Sequence, residues 1–232
     1  MATLALLHGA WHGGWAWDVL APELDARGHR VLAPDLPCED VQAGAADYAR
    51  VVSNALAGAD DAIVVGHSLG GMTVPLVPAR MHVYLCAYIP QPGWALADRG
   101  PEAFAPGFAG SVLRDELGRT WWPDLDAAAH DLQYPPEFAA LTAKLRRQAR
   151  TPSRETTPLA AMPDTPRAYI VCGRDHAIPP EWQRRAAQNE LGVEPIELDS
   201  GHSPMLSCPA ELADVLDRLA ATATATEGVI TG

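Results

Sequence analysis

The chain has 232 residues, 48% of them hydrophobic, enough for one domain with a sizeable buried core. Lys+Arg 17 against Asp+Glu 29 leaves a formal net charge of −12, a balance that repels nucleic acid and anionic membrane surfaces and disfavours polyanionic ligands. Cys38, Cys86, Cys172 and Cys208 form no C-x-x-C pair and no Cys/His metal signature. Reduced thiols, no structural zinc and a cytoplasmic setting are therefore expected. The N-terminus has no basic region, and its apolar run is too short for a signal peptide or a membrane span.

The first apolar run, residues 3–7, reads as a strand and leads into His8-Gly9-Ala10-Trp11-His12-Gly13-Gly14-Trp15. A His-Gly loop after a central strand donates one backbone N–H to an oxyanion hole, and that donor is Ala10 here. The loop lacks the spacing and the lysine of a phosphate-binding P-loop. A helix over 15–26 ended by Gly28, a strand over 30–33, a loop rich in Pro and Asp, and a helix over 45–58 follow. A strand over 62–65 then runs into Gly66-His67-Ser68-Leu69-Gly70. Strand, sharp turn and helix with a serine at the turn make a nucleophile elbow. Its glycines are there because side chains would collide with strand or helix. The plainer reading of such a serine is a helix cap. As the residue after the nucleophile, Leu69 supplies the second oxyanion donor. A helix continues to about 79, kinked or shortened by Pro75 and Pro78, and a strand over 83–89 closes the first half.

Residues 91–163 are rich in Pro, Gly and Trp, with helix-like patches at 111–117 and 137–150. Inserted there, they form a cap between two parts of a core, 1–90 and 164–221. Its aromatics, Trp121 and Trp122 among them, either pack the cap on the sheet or line an apolar pocket. Lys144, Arg146, Arg147 and Arg150 read as a solvated helix face rather than an anion site.

The second half resumes with a strand over 167–172 followed by Gly173-Arg174-Asp175-His176. A helix over 180–190 and a strand over 194–198 lead to Asp199-Ser200-Gly201-His202, and a helix over 210–221 precedes a frayed tail, 222–232. The alternation gives six strands in a mostly parallel sheet with helices on both faces. Ser68, Asp175 and His202 all fall just past strand ends, where such sheets place their sites. A serine hydroxyl needs a neutral imidazole to take its proton, and a carboxylate to hold that imidazole. Asp199 competes for the acid role, but three residues before His202 it is poorly placed behind the ring. His29, His82, His130 and His176 have structural readings.

The stretches HGAWHGGWAW (8–17), GHSLGG (66–71), GRDHAIPPEWQ (173–183) and GHSPMLSCPAEL (201–212) resemble the α/β-hydrolases, more narrowly their methylesterase and hydroxynitrile-lyase branch. The resemblance implies an α/β-hydrolase fold without the family's usual two leading strands. It puts the nucleophile on Ser68, the acid on Asp175, the base on His202 and the oxyanion donors on Ala10 and Leu69. In the lyases of that branch a threonine follows the loop histidine and a lysine follows the catalytic histidine. Gly9 and Ser203 stand there in this chain. The expectation is therefore a serine esterase that cleaves a small carboxylic ester, methyl or aryl, through an acyl-enzyme. Gly9, Trp11, Trp121, Trp122 and Ser203 are expected around the substrate. No metal and no cofactor are expected, and the chain is expected to be a monomer or homodimer. A hydroxynitrile lyase, another non-hydrolytic tailoring enzyme, and a ligand receptor without turnover are the alternatives.

Overall fold

A computed structural model describes residues 1–59 and 61–225. Four short strands open the chain: β1 (Thr3–Leu7), β2 (Arg30–Leu32), β3 (Ile63–His67) and β4 (Met81–Leu85). Helices α1 (Ala21–Ala26) and α2 (Ala45–Ala55) connect them. After β4 come a two-stranded hairpin, β5 (Leu113–Arg114) with β6 (Thr120–Trp121), and two helices, α3 (Leu125–Asp131) and α4 (Thr151–Arg154). The chain returns through β7 (Arg167–Cys172), α5 (Pro180–Ala186), β8 (Ile196–Leu198), α6 (Pro204–Ser207) and α7 (Pro209–Ala225).

The main sheet has six strands in the order β2-β1-β3-β4-β7-β8, parallel throughout. Period-2 alternation sorts its side chains into two cores. Ala5, Leu7, Val64, Tyr84, Tyr169 and Val171 pack with Tyr48 and Val52 of α2 and Trp182 and Ala186 of α5. Leu4, Leu6, Ile63, Val65, Leu85 and Ile170 pack with Leu24 of α1 and Leu212 and Leu216 of α7 on the other face. Both faces are covered, which is why these strands read as unbroken apolar runs. The chain steps outward from β1 to β2, then returns to pair β3 against the other edge of β1, with Leu7 opposite Gly66. This reversal puts the loop after β1 beside the turn after β3, the usual place for a ligand in an open parallel sheet.

Several expected elements differ. The helix over 15–26 is split into a 3₁₀ turn, Gly14–Trp17, and α1, whose first turn holds Pro22. The helix after the elbow is two 3₁₀ turns, Ser68–Met72 and Val74–Leu76, the second with Pro75 in its second position. β4 stops at Leu85 because Cys86 takes φ +36° and the chain turns to hydrogen-bond Tyr88 N–H to Ser68 C=O at 3.1 Å. The patch at 111–117 contains β5, not a helix, and 137–150 begins as a 3₁₀ helix, Pro136–Lys144, then runs extended. α7 reaches Ala225, and the rest of the expected tail lies outside the described residues. Among the described residues no helix is long and apolar enough to cross a membrane.

Candidate active site

Ser68 follows the last residue of β3 and takes φ +52°, a conformation that costs a side-chain-bearing residue on the order of 1–3 kcal/mol. The flanking glycines make it reachable. A Cβ on Gly66 would run into Val74 and would lie 2.9 Å from Gly70 C=O, and one on Gly70 would meet His8 C=O at 2.7 Å.

Asp175 and His202 come to this serine from the loops after β7 and β8. The side chain of Asp175 is fully buried and accepts four hydrogen bonds. Oδ1 takes the N–H groups of Ala177 (2.7 Å) and Ile178 (3.0 Å). Oδ2 takes Gln183 Nε2 (2.9 Å) and His202 Nδ1 (2.9 Å). With the ring proton on Nδ1, His202 Nε2 accepts from Ser68 Oγ at 3.1 Å. Asp199, the competitor, is 86% exposed and paired with Arg174 at the surface.

The loop after β1 is held by its own histidines. His8 donates from Nδ1 to Gly9 C=O (2.9 Å) and accepts Leu36 N–H at Nε2 (3.0 Å). His12 donates from Nδ1 to Ala10 C=O at 2.7 Å. Burial pushes His8 down to about 4, His12 to about 3, and His67 well below the usual imidazole range, so all three are neutral at pH 7. Trp11, at φ +65°, is pinned by the insertion: Arg146 N–H donates to its carbonyl (2.6 Å) and its Nε1 donates to Thr120 Oγ1 (3.0 Å). Ala10 N–H makes no hydrogen bond among the described residues. Leu69 N–H lies at the open N-terminus of the Ser68–Met72 turn, where helix donors lack partners. A Cβ at Gly9 would come within 3.0 Å of Ser68 Cβ, so glycine there lets the loop close against the serine.

Three consecutive residues between β4 and β7, Leu132, Gln133 and Tyr134, join all of these loops, and sequence reasoning gave none of them this role. Gln133 Oε1 accepts the N–H groups of His176 (2.8 Å) and His202 (2.9 Å), and its Nε2 donates to Arg174 C=O (2.9 Å). One amide thus spans the loops carrying Asp175 and His202. Gly201 admits it, because a Cβ there would lie 2.7 Å from its amide carbon. Tyr134 Oη donates to His12 Nε2 at 2.6 Å. Leu132 C=O accepts Ser203 Oγ at 2.6 Å. A lone glutamine after a short helix gives no sequence signal of this role.

A cavity of about 370 Å³ opens over Ser68, lined among others by Ala10, Trp11, Leu69, Tyr88, Phe104, Phe108 and Ile178, with Thr120, Gln148, Arg150 and Ser153 as its polar members. Trp121 and Trp122 do not line it. Trp122 is buried beneath Trp11, edge-on at 5.3 Å, and Trp121 lies under the guanidinium of Arg147. Ser203 is also absent from the lining: it is fully buried, its hydroxyl spent on Leu132. Among the described residues one group has metal-ligand potential, His67, Cys86 and His202. Both nitrogens of His202 are engaged by Ser68 and Asp175, and His67 Nε2 donates to His202 C=O at 2.8 Å.

The sequence profile of the Alpha/beta hydrolase family matches residues 4–215, and the chain belongs to that family. It is 30% identical to Methylesterase 9 of Arabidopsis thaliana, over 95% of this chain and 98% of that one. It is also 30% identical to a carbendazim hydrolyzing esterase of a Nocardioides species, over 94% and 100%. The structure of a pyrethroid hydrolase from Sphingobium faniae superposes with a TM-score of 0.78 at 26% identity, over 94% of this chain and 97% of that one. Within the family this chain is a carboxylic ester hydrolase.

Proposed function

We propose that the chain is a cytoplasmic serine esterase whose nucleophile is Ser68. The reading is carried by the unbroken relay from Ser68 Oγ through His202 to Asp175 Oδ2, at 3.1 and 2.9 Å, beneath the cavity. His202 Nε2 takes the hydroxyl proton as Oγ attacks the ester carbonyl. The N–H groups of Ala10 and Leu69 receive the developing oxyanion, each worth a few kcal/mol of barrier. His202 then passes the proton to the leaving alkoxide. Its imidazole next activates the water that releases the acid from the acyl-enzyme. Asp175 stays ionised and holds the Nδ1–H tautomer throughout.

Similarity to Methylesterase 9 favours a methyl ester, with methanol as the leaving group. Cyanohydrin cleavage fits less well. Gly9 offers no hydroxyl to a cyanohydrin oxygen, and the position after His202 holds a buried, uncharged Ser203 where departing cyanide needs a cation. The four free thiols, three of them buried, favour a reducing compartment.

The test is covalent. A fluorophosphonate should label Ser68 alone, located by peptide mass, and Ser68→Ala should lower hydrolysis of a p-nitrophenyl ester by several orders of magnitude. Labelling at Ser200 or Ser203, or a Ser68→Ala variant with wild-type turnover, refutes the assignment.

A further inference from the structure

Among the residues lining the cavity over Ser68, Arg150 alone is charged. The other cations of its stretch are partnered. Lys144 lies over the Trp15 ring, Arg146 reaches Glu39 at 3.5 Å, and Arg147 bonds Asp115 at 2.6 Å. Arg150 has no ion pair among the described residues, and the charges acting on it are Arg114 and Arg154, which have none among the described residues either. The acids of this rim are occupied: Asp115 by Arg119 and Arg147, and Glu155 by the N–H of Ala45. Burial first, then these two arginines, hold the Arg150 guanidinium below its usual range, which means that its charge is poorly compensated. In a chain of net charge −12, three neighbouring arginines with no ion pair among the described residues run against the composition. The expected solvated helix face is not what Arg150 forms.

We propose that Arg150 is the anion-reading end of the substrate site, and that the substrate is an ester whose acyl chain ends in a carboxylate: a monoalkyl ester of a dicarboxylic acid. This rests on the esterase reading above. A guanidinium matches a carboxylate with two parallel N–H donors. Ser153 Oγ and the Gln148 amide are already bonded within the protein, which leaves the guanidinium as the charged donor of the cavity, and Leu69, Tyr88, Phe108 and Ile178 in the same lining supply apolar surface suited to methylenes. A single negative charge also escapes most of the repulsion that the acidic chain exerts on polyanions.

The test uses monomethyl esters of linear dicarboxylic acids from succinate to suberate, each against its dimethyl ester. At the best chain length the wild type should favour the monoester in kcat/KM by about 10- to 100-fold, less so in 0.5 M salt. Arg150→Gln should abolish that preference by lowering kcat/KM for the monoester to or below that for the dimethyl ester, with the fold checked by circular dichroism and urea unfolding. A wild type that prefers the diester at every length, or an Arg150→Gln variant that keeps the preference, overturns the proposal. Calorimetry on Ser68→Ala separates the two readings. If no ester is hydrolysed but Ser68→Ala binds the monoester and Ser68→Ala/Arg150→Gln does not, the anion subsite stands and the esterase reading falls. Equal binding of monoester and diester by Ser68→Ala, or binding of neither, sinks the subsite itself.

Discussion

Gln133→Ala isolates the contribution of the insertion to catalytic geometry. The substitution removes three hydrogen bonds: two from the N–H groups of His176 and His202 and one to Arg174 C=O. Each such bond contributes about 0.5–1.5 kcal/mol net. Those to Arg174 and His176 lie where water can replace the lost amide, so the stability cost should fall near about 1–2 kcal/mol rather than the full sum. The catalytic cost should be out of proportion to that. Gln133 fixes the backbone of His202 relative to the Asp175 loop, and the ring must present Nε2 to Ser68 at 3.1 Å. A misplacement near 1 Å in such an arrangement costs about 100-fold. The expected result is a kcat reduced about 10- to 100-fold with KM within about threefold of wild type, because Gln133 does not line the cavity. Steady-state kinetics on a p-nitrophenyl ester, beside urea unfolding, measure both quantities. A kcat within twofold of wild type alongside the stability loss would refute the reasoning and leave Gln133 a purely structural tie.

Tyr134→Phe should lower kcat more modestly and leave the fold intact, since it deprives His12 Nε2 of its donor without emptying the site; unchanged kcat would show that the His12–Ala10 contact does not depend on it. Asp175→Asn should collapse turnover, and Asp199→Asn, at an exposed pair, should leave it near wild type; the reverse pattern in the same assay would reassign the acid. Phe108→Ala should shift the preferred acyl length while Trp121→Ala should not, read as kcat/KM across graded p-nitrophenyl esters. Stability should fall in mild acid. Above pH 6.5 His8 and His12 are neutral whether the chain is folded or not. Below it the unfolded chain takes up protons that the folded chain refuses until about 4 and about 3, so stability drops by up to about 1.4 kcal/mol per pH unit per ring. Urea midpoints that stay level from pH 7 to pH 5 would contradict this.

The strands were legible because each is a short apolar run with both faces buried, and the loops bearing Ser68, Asp175 and His202 announce themselves by glycine and by position after those runs. The insertion was not legible, for local and non-local reasons. Around Asp115 the turn chemistry was present: its carboxylate accepts the N–H groups of Leu117 and Arg119, and Gly118 takes φ +76°. The strands it joins have two residues each, too few to show alternation. Residues 146–150 have helical composition but are pulled extended from outside, Gln148 by mutual backbone bonds with Thr120 at 2.8 Å and Ala149 by Cys38 C=O at 2.6 Å. Trp121 and Trp122 were expected at the pocket from their bulk alone. Hydrophobicity does not say which of two adjacent rings faces a cavity, and here neither does.

The three-residue stitch at 132–134 bears on how such an enzyme can be re-engineered. Exchanging whole caps between homologues is an obvious way to change what a hydrolase accepts. In this chain a graft that includes residues 132–134 would carry away the tyrosine under His12 and the amide across the Arg174 and His202 loops. Chimeras that keep the host's residues 113–135 and replace only 104–112 should retain turnover on a new repertoire. Those that replace the full insertion should fold and idle. Variation in this lineage should therefore be freest along the aromatic rim and most constrained at a glutamine that touches no substrate.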